Sequence, residues 1–168
     1  MEPDTPPLLR RPRRPRARGF TLVEILIVVV ILGILAAIVV PLFGESADEA
    51  RQSTFVSDVR TYAQAAEYFM VKTGSLLPDS GSGDFPAVWA GYADEDKWVA
   101  GPSIGGVWDI ERDGFTGMSA GFGVHFESGD QPSDAYMEAI DAKFDDGNLA
   151  SGVFRQIAND RFYYVLVP

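Results

Sequence analysis

The sequence predicts an α+β fold, in which a long N-terminal α-helix with a membrane half and an amphipathic half packs on a small antiparallel β-sheet of about four strands. Three patterns support this prediction. An apolar run fills residues 20–40, an amphipathic helical pattern continues to residue 72, and strand-like alternation with turn signals begins at residue 107. We expect four segments: a leader at 1–19, an apolar helix at 20–40, the amphipathic half of that helix at 41–73, and a globular head at 74–168.

The apolar run at 20–40 has the length of a membrane-spanning helix, because a rise of about 1.5 Å per residue carries it across roughly 30 Å. Leu, Ile and Val fill it without the polar face of a half-buried globular helix. Gly33 and Pro41 lower helix stability by about 1 and 3 kcal/mol relative to alanine. The segment is predicted to span a membrane once, with either a kink or local melting between Gly33 and Pro41, or a mild bend in a continuous helix.

Basic side chains precede the apolar run. The arginines of the leader are Arg10, Arg11, Arg13, Arg14, Arg16 and Arg18. Positive charge beside a hydrophobic segment keeps that end in the cytoplasm, so the C-terminal part is expected to cross the membrane. A basic run can also bind nucleic acid. We favour a targeting role, because the position suits a signal and Pro12 and Pro15 prevent a regular basic helix.

The rest of the chain is acidic and contains no cysteine. Residues 20–168 hold eight basic and 22 acidic side chains, a balance that disfavours nucleic acid and suits divalent cations or basic partners. The absence of cysteine excludes disulfides, thiolate metal sites and thiol catalysis. We find no phosphate loop, zinc motif or nucleophile elbow, so the sequence predicts no enzyme.

Residues 44–72 continue the helix with one apolar face. That face carries Phe55, Val59, Tyr62, Ala66, Phe69 and Met70, spaced three or four residues apart or adjacent. Gly74 follows as the predicted C-cap. The aromatic stripe is interpreted as core rather than as a ligand site.

Residues 75–106 are rich in Gly, Pro, Ser and Asp, which predicts a long loop with one short helix. Its aromatic residues, Phe85, Trp89, Tyr92 and Trp98, are expected to anchor the loop on the sheet, with carbohydrate or partner contact as the alternative. The run Asp94-Glu95-Asp96 is interpreted as a solvated acidic turn, with a contribution to a calcium site as the alternative.

Two strands are predicted at 107–112 and 115–126, joined by a hairpin turn at Asp113-Gly114. In the second strand one face is predicted to be apolar, because Met118, Ala120, Phe122, Val124 and Phe126 alternate with small or polar residues. His125 is the only histidine, and by itself it forms neither a metal site nor a catalytic triad.

The C-terminal part is predicted to hold one helix and two strands. Ser133 is a suitable N-cap for a helix from Asp134 to about Phe144. Strands are expected at about 152–157 and at 161–167, so the C-terminus is tied into the sheet. Between helix and strands, Asp145-Asp146-Gly147-Asn148 turns the chain, and its spacing fits no EF-hand loop.

The stretch Gly19-Phe20-Thr21-Leu22-Val23-Glu24, with the aliphatic run behind it, resembles the class III signal of type IV pilins and type II secretion pseudopilins. The resemblance implies that prepilin peptidase cuts between Gly19 and Phe20 on the cytoplasmic side and methylates the new N-terminal Phe20. It also places Gly33 and Pro41 where the family often has helix-weakening residues. The Asp-Asp-Gly-Asn turn is similar to the tail of some pseudopilins. No cofactor is expected, with calcium at Asp145, Asp146 and Asn148 as the alternative.

Glu24 is the one acidic residue within the apolar run. A carboxylate in lipid costs about 2.5–3.5 kcal/mol on insertion scales, so such a group is usually paired and functional. Cleavage after Gly19 would create a cation, the amine of Phe20, which in a fibre could bind Glu24 of a neighbouring copy. The resemblance implies this assembly role for Glu24. The alternative is that Glu24 lies at the headgroup level, favoured by the positive end of the helix dipole.

The resemblance implies a structural subunit of a type II secretion pseudopilus, built from the inner membrane into a helical filament that drives protein export. Its partners would be copies of itself, other pilin-like subunits, prepilin peptidase and the inner-membrane assembly platform, with no nucleic acid. The N-terminus would be cytoplasmic and the head periplasmic. The alternatives are a type IV pilus pilin, active in adhesion, motility or DNA uptake, and a single-pass anchored binding domain.

Overall fold

The computed structural model describes residues 19–115 and 117–168, apart from the side chains of residues 41 and 42. The helices are α1 (Leu22–Thr73), a 3₁₀ turn (Ala87–Trp89), α2 (Glu95–Val99) and α3 (Asp134–Asp141), and the strands are β1 (Val107–Phe115), β2 (Met118–His125), β3 (Phe154–Ala158) and β4 (Arg161–Val167). The predicted α+β architecture with one long N-terminal helix is confirmed. The leader at residues 1–18 lies outside the described part.

The chain divides into two compact units, Met1–Phe43 and Gly44–Pro168. In the first unit the described residues belong almost entirely to α1, and their large apolar side chains are exposed, from 41% for Val39 to 84% for Leu22. The hydrogen-bond pattern of α1 is helical through Gly33 and residue 41. Melting of this stretch in an assembled state stays a prediction.

The second unit is built around the sheet, whose strand order is β1-β2-β4-β3 with every neighbouring pair antiparallel. The part of α1 from residue 44 onward packs on one face, where Phe55 contacts Phe154 on β3 and stacks on Trp108 of β1 at 5.5 Å between ring centroids. Gly74 ends α1 with φ of +71°, as a C-cap requires. The last strand pairs with β2 up to Val167, so the predicted tie of the C-terminus into the sheet is confirmed.

Aromatic rings make up most of the core of the second unit. Tyr62 on α1 lies within 6 Å, between ring centroids, of Trp89, Trp98 and Trp108. Trp89 and Trp98 are fully buried or nearly so, whereas Phe85 and Tyr92 are partly buried against the same cluster. The loop aromatics therefore anchor residues 75–106, as expected.

The structure corrects the predicted hairpin. The chain turns between Phe115 and Met118, which face each other across the two strands, and not at Asp113-Gly114. Asp113 instead adopts a φ of +53° within β1, where the pairing register shifts. A bulge in one strand has the same sequence signature as a tight turn, because both use a left-handed residue beside glycine.

Further boundaries and one face also differ from the prediction. Strand β1 extends to Phe115 instead of residue 112, and β2 covers Met118–His125 instead of residues 115–126. Met118 packs with Tyr163 and Val165, apart from the main core that contains Phe122 and Val124. The pairing of β2 with β4 also shifts register between Ala120 and Gly121. Helix α3 ends at Asp141 instead of Phe144, and β3 begins at Phe154 instead of residue 152. The cap by Ser133 is confirmed, since its side chain accepts a hydrogen bond from Tyr136 N at 3.3 Å.

Candidate functional site

The N-terminus of α1 is closed by a reciprocal pair, Thr21 and Glu24. The hydroxyl of Thr21 accepts a hydrogen bond from Glu24 N at 3.2 Å, and Glu24 Oε2 accepts one from Thr21 N at 2.8 Å and one from the Thr21 hydroxyl at 2.9 Å. This is a capping box, which satisfies backbone N–H groups that the first helical turn leaves without a partner.

The capping role of Glu24 was not predicted, although the sequence contains the signal of a capping box. Thr21-Leu22-Val23-Glu24 has the spacing S/T-x-x-E directly before an apolar helix. Only Oε2 of the carboxylate is used by Thr21, and no cation among residues 19–115 and 117–168 lies within ion-pair distance of Glu24. One carboxylate oxygen is therefore still available to a cation from outside.

An apolar surface surrounds the capping box. Phe20 and Leu22 are more than 80% exposed, and with Ile25, Leu26 and Val29 they line a shallow depression of about 440 Å³. Within the described residues, α1 is the helix that is long and apolar enough to cross a membrane, judged by length and composition. The predicted processing and assembly residues Gly19, Phe20 and Glu24 thus lie together at one exposed helix start.

The turn after α3 is the candidate for a cation. Asp145 Oδ2 accepts from Val153 N at 2.5 Å, while Asp146 accepts from Asn148 N at 2.9 Å and from the hydroxyl of Ser151. Asn148 Oδ1 in turn accepts from Ala150 N at 3.2 Å. These bonds fold the turn on itself, so the three predicted residues already have structural roles.

Asp141 adds a third carboxylate, which the sequence reading did not include. Carboxylate oxygens of Asp141, Asp145 and Asp146 lie within 4.8 Å of one another. Asp141 is fully buried, and neither of its oxygens has a hydrogen-bond partner among the described residues. Burial, reinforced by Asp145 and Asp146, raises the pKa of Asp141 to about 7. Burial also opposes ionisation of Asp145, but the N–H groups of Val153 and Asp146 prevail and lower its pKa.

This arrangement fits a hard cation. Oxygen ligands from several carboxylates are what calcium binds, and a buried carboxyl with two unsatisfied oxygens gains from such an ion. Asp141 lies on α3, four residues before Asp145, so it is brought in by the helix. Acidic residues one helical turn before a predicted loop are the sequence signal that would have identified it.

A second polar cluster lies on the outer face of the sheet around Asp109, which is 1% exposed. Its Oδ2 accepts hydrogen bonds from Tyr163 at 2.5 Å and from Arg161 at 3.0 Å, and Arg161 also pairs with Glu111. Burial raises the pKa of Asp109 even though these donors favour its charged form. Arg161 and Tyr163 of β4 thus compensate the buried charge of Asp109. A buried carboxylate without such partners would destabilise the fold.

His125 joins the edge of that cluster. Its Nδ1 lies 2.7 Å from the hydroxyl of Ser82, and its Nε2 lies 3.2 Å from Asp160 Oδ2. Ser82 is also 3.3 Å from Asp109 Oδ2, so its hydroxyl bridges the imidazole and a buried carboxylate. The sequence reading found no partner for His125, because Ser82, Asp109 and Asp160 are brought to it from three distant segments.

Comparison with known proteins agrees with the geometry of the N-terminus. The family model for the prokaryotic N-terminal methylation motif matches residues 14–40. The chain carries the N-terminal methylation motif. Residues 14–40 include the leader end, the capping box and most of the exposed apolar helix, so the resemblance to pilins and pseudopilins is confirmed for this segment.

Several curated proteins are similar over about a quarter to a third of the chain. The type II secretion system core protein G of Pseudomonas aeruginosa is 44% identical over 57 residues, which cover 34% of this chain and 40% of that protein. The type IV narrow pilus major component PilA5 of Thermus thermophilus is 58% identical over 38 residues, 23% of this chain and 33% of that protein. The type IV major pilin protein PilA of Myxococcus xanthus is 44% identical over 55 residues, 33% and 25% of the two chains.

The similarity covers well under half of these relatives. The chain spans between 29% and 40% of the length of the type II secretion proteins it matches. No solved structure matches the chain.

Proposed function

We propose that this chain is a structural, non-enzymatic subunit of a type II secretion pseudopilus. Prepilin peptidase cleaves it between Gly19 and Phe20 and methylates Phe20, and the inner-membrane assembly platform then builds it into a helical filament that drives protein export. The supporting observation is the apolar surface of α1 directly behind a methylation motif. Each Å² of such surface costs about 25 cal/mol in water, so lipid and then other subunits must cover it.

The proposed topology follows from charge. The arginine-rich leader stays in the cytoplasm, and the acidic unit Gly44–Pro168 crosses to the periplasm. Before assembly the chain is a single-pass inner-membrane protein. Its partners are copies of itself and other pilin-like subunits, which share the same apolar helix surface.

Glu24 acts twice in this proposal. In the single subunit it completes the capping box with Thr21 through Oε2. In the filament its other oxygen binds the ammonium group of Phe20 from a neighbouring copy. A charge-assisted hydrogen bond in a low-dielectric helix bundle is strong, so this pair sets the register between subunits.

The capping box allows the two roles of Glu24 to be separated by mutation. Glu24→Gln keeps the cap, because glutamine also serves at this position. Its one oxygen is then used by the cap, and its uncharged NH2 group cannot form an ion pair with an ammonium group. Glu24→Ala removes both. We expect both variants to insert into the membrane and both to be lost from filaments, as measured by fractionation and electron microscopy. Normal filaments from Glu24→Gln would contradict the register role and leave only capping.

Mass spectrometry of the mature protein tests the processing step. A chain that starts with N-methylated Phe20 is expected. A membrane protein that retains residues 1–19 would contradict the proposal and favour the single-pass anchored binding domain.

The pseudopilus is preferred to a type IV pilus, since the chain has no cysteine for the C-terminal disulfide loop common in pilins. Similarity to both classes keeps the pilus as the second candidate. Deletion of the protein is expected to block secretion of folded exoproteins. Intact secretion with loss of surface fibres or twitching would instead assign the chain to a pilus.

We also propose that the turn after α3 takes a calcium ion as a structural element. Asp141, Asp145 and Asp146 would hold it, and the ion would supply positive charge to a buried carboxyl that has no partner among the described residues. Calorimetry with Ca²⁺, compared with the variant Asp141→Asn, tests this. Equal heats of binding for the two proteins would contradict it.

A further inference from the structure

Two surfaces of opposite charge flank the amphipathic part of α1. Val59 is fully buried and points into the core. Successive helical residues are about 100° apart, so Asp58 and Arg60 lie about 100° to either side of Val59 and only about 3 Å apart along the axis. Groups that contact Asp58 and groups that contact Arg60 therefore lie on opposite flanks of α1, at the same height along the helix axis.

The Arg60 flank is a cationic groove. It has a volume of about 450 Å³ and is lined by Arg60, Lys143, and the polar side chains of Ser57 and Gln64, among others, with no carboxylate. The guanidinium of Arg60 donates to Lys143 O at 2.6 Å and lies 5.7 Å from the ring centre of Phe144, so it is held in place. In the described ranges, neither Arg60 nor Lys143 has an acidic side chain within 4.0 Å.

The Asp58 flank carries an acidic turn, Asp94-Glu95-Asp96, at the start of α2. It is the only run of three consecutive acidic residues in the chain, and all three are exposed. Lys97, the cation beside it, is bound to Asp58 at 2.5 Å and faces α1. Asp94 caps α2 by accepting from Lys97 N at 3.1 Å, which leaves the carboxylates of Glu95 and Asp96 directed to solvent.

We propose that the acidic turn of one copy, residues 94–96, docks into the Arg60/Lys143 groove of the next copy, a partner choice that rests on the filament function proposed above. Residues 44–168 hold 21 acidic and eight basic side chains, so two heads repel each other unless a cation meets an acid at the contact. Salt screens charges beyond about 8–10 Å, which makes the local pairing decisive.

The placement of the two surfaces determines the kind of assembly. The groove and the acidic turn are different patches on opposite flanks, so the contact is heterologous. In a bound pair one copy keeps a free groove and the other keeps a free acidic turn. Contacts of this type propagate into rings or open helical arrays, whereas a self-complementary patch stops at a dimer. Head contacts of this kind agree with a helical filament built from α1.

The test reverses one charge at a time in the full-length chain, expressed in cells with its own assembly machinery. Lys143→Glu is the informative variant, because the side chain of Lys143 makes no bond within the described structure. Lys72→Glu is the matched control, an exposed lysine outside the groove with the same change in charge. We expect Lys143→Glu to lower filament yield by roughly fivefold or more and Lys72→Glu to leave it near wild type.

The second variant pair identifies the docked segment. Combining Lys143→Glu with Glu95→Lys is expected to restore filament yield, since the pair is remade with the charges exchanged. Because the chain lacks cysteine, Ser57→Cys with Glu95→Cys gives an independent readout, a ladder of disulfide-linked subunits in oxidised filaments.

The possible results distinguish a failure of the docking contact from a failure of the proposed filament function. Equal yields for Lys143→Glu and Lys72→Glu, no rescue by Glu95→Lys, or filaments without a disulfide ladder would overturn the docking contact and leave the filament function in place. Absence of filaments and of secretion activity from the wild-type chain would overturn the filament function, and this contact with it.

Discussion

In the unit Met1–Phe43 the described apolar side chains surround one helix and stay exposed, whereas in the unit Gly44–Pro168 the largest of them are buried in an aromatic core. Leu32 and Trp108 illustrate the contrast, with exposed fractions of 58% and 1%. The second unit thus satisfies its hydrophobic residues within one chain. The first leaves its hydrophobic residues exposed within one chain, as a surface covered by lipid and then by other copies would be under the proposed function.

The largest expected effect is on the stability of the second unit. Trp108 contacts Phe55, Tyr62 and Trp98 at 5.1–5.7 Å between ring centroids. We expect Trp108→Ala to lower the free energy of unfolding by about 3–5 kcal/mol. Denaturation of the detergent-solubilised chain, followed by fluorescence, measures it. Leu32→Ala is the control and should change the value by less than about 0.5 kcal/mol; similar losses for both would end the contrast between the units.

The next largest effect is on membrane insertion, and it leaves the fold of the head unchanged. Ile31 lies near the middle of residues 20–40 and is 52% exposed. Ile31→Asp should disfavour insertion by about 3 kcal/mol, because an aspartate at the centre of a membrane helix costs that much. The inserted fraction should fall while protease resistance of the head is unchanged, and Ile31→Leu should behave as wild type. An inserted fraction of Ile31→Asp equal to that of Ile31→Leu would contradict a span centred there.

The sequence predicted the features that depend on residues close together in the chain. Periodicity identified α1 and its buried face, since both depend on residues close in sequence, and the C-terminal strand Arg161–Val167 was predicted with its observed bounds. The hairpin turn was misplaced because Asp113 uses a left-handed conformation for a bulge, and nothing local distinguishes the two. Ser82 and Asp160 escaped notice, because tertiary folding alone brings them to His125. Asp141 lies one helical turn before Asp145 and could have been found from the sequence.

A smaller effect is a pH dependence confined to the second unit. The pKa of Asp141 is raised to about 7 from 3.8, mainly by burial, so the folded state holds a proton that the unfolded state has already lost. Stability from this group is present below pH 4 and is lost as pH rises from about 4 to 7. Burial also raises the pKa values of Asp109 and Glu111, which act in the same direction.

Thermal unfolding at pH 5 and pH 7.5 measures this dependence. The wild-type second unit should melt at a higher temperature at pH 5, and Asp141→Asn should reduce the difference because asparagine does not ionise. Added Ca²⁺ should raise the melting temperature at pH 7.5 more than at pH 5, since the ion competes with the proton for the same oxygens. A wild-type protein that is more stable at pH 7.5 without calcium would contradict the buried, protonated state of Asp141.

The smallest expected effect is on helix stability at Gly33, and it tests whether α1 helices of different copies pack closely at this position. A Cβ added at Gly33 would meet nothing within 4 Å, so Gly33→Ala should increase helix stability by up to about 1 kcal/mol in the single subunit, measured by circular dichroism in detergent. Glycine in membrane helices also permits close approach of a neighbouring helix. If copies of α1 pack closely at this position, the more helical variant should nevertheless give fewer filaments. Filament yields above wild type would show instead that Gly33 only weakens the helix and that the copies contact each other elsewhere along it.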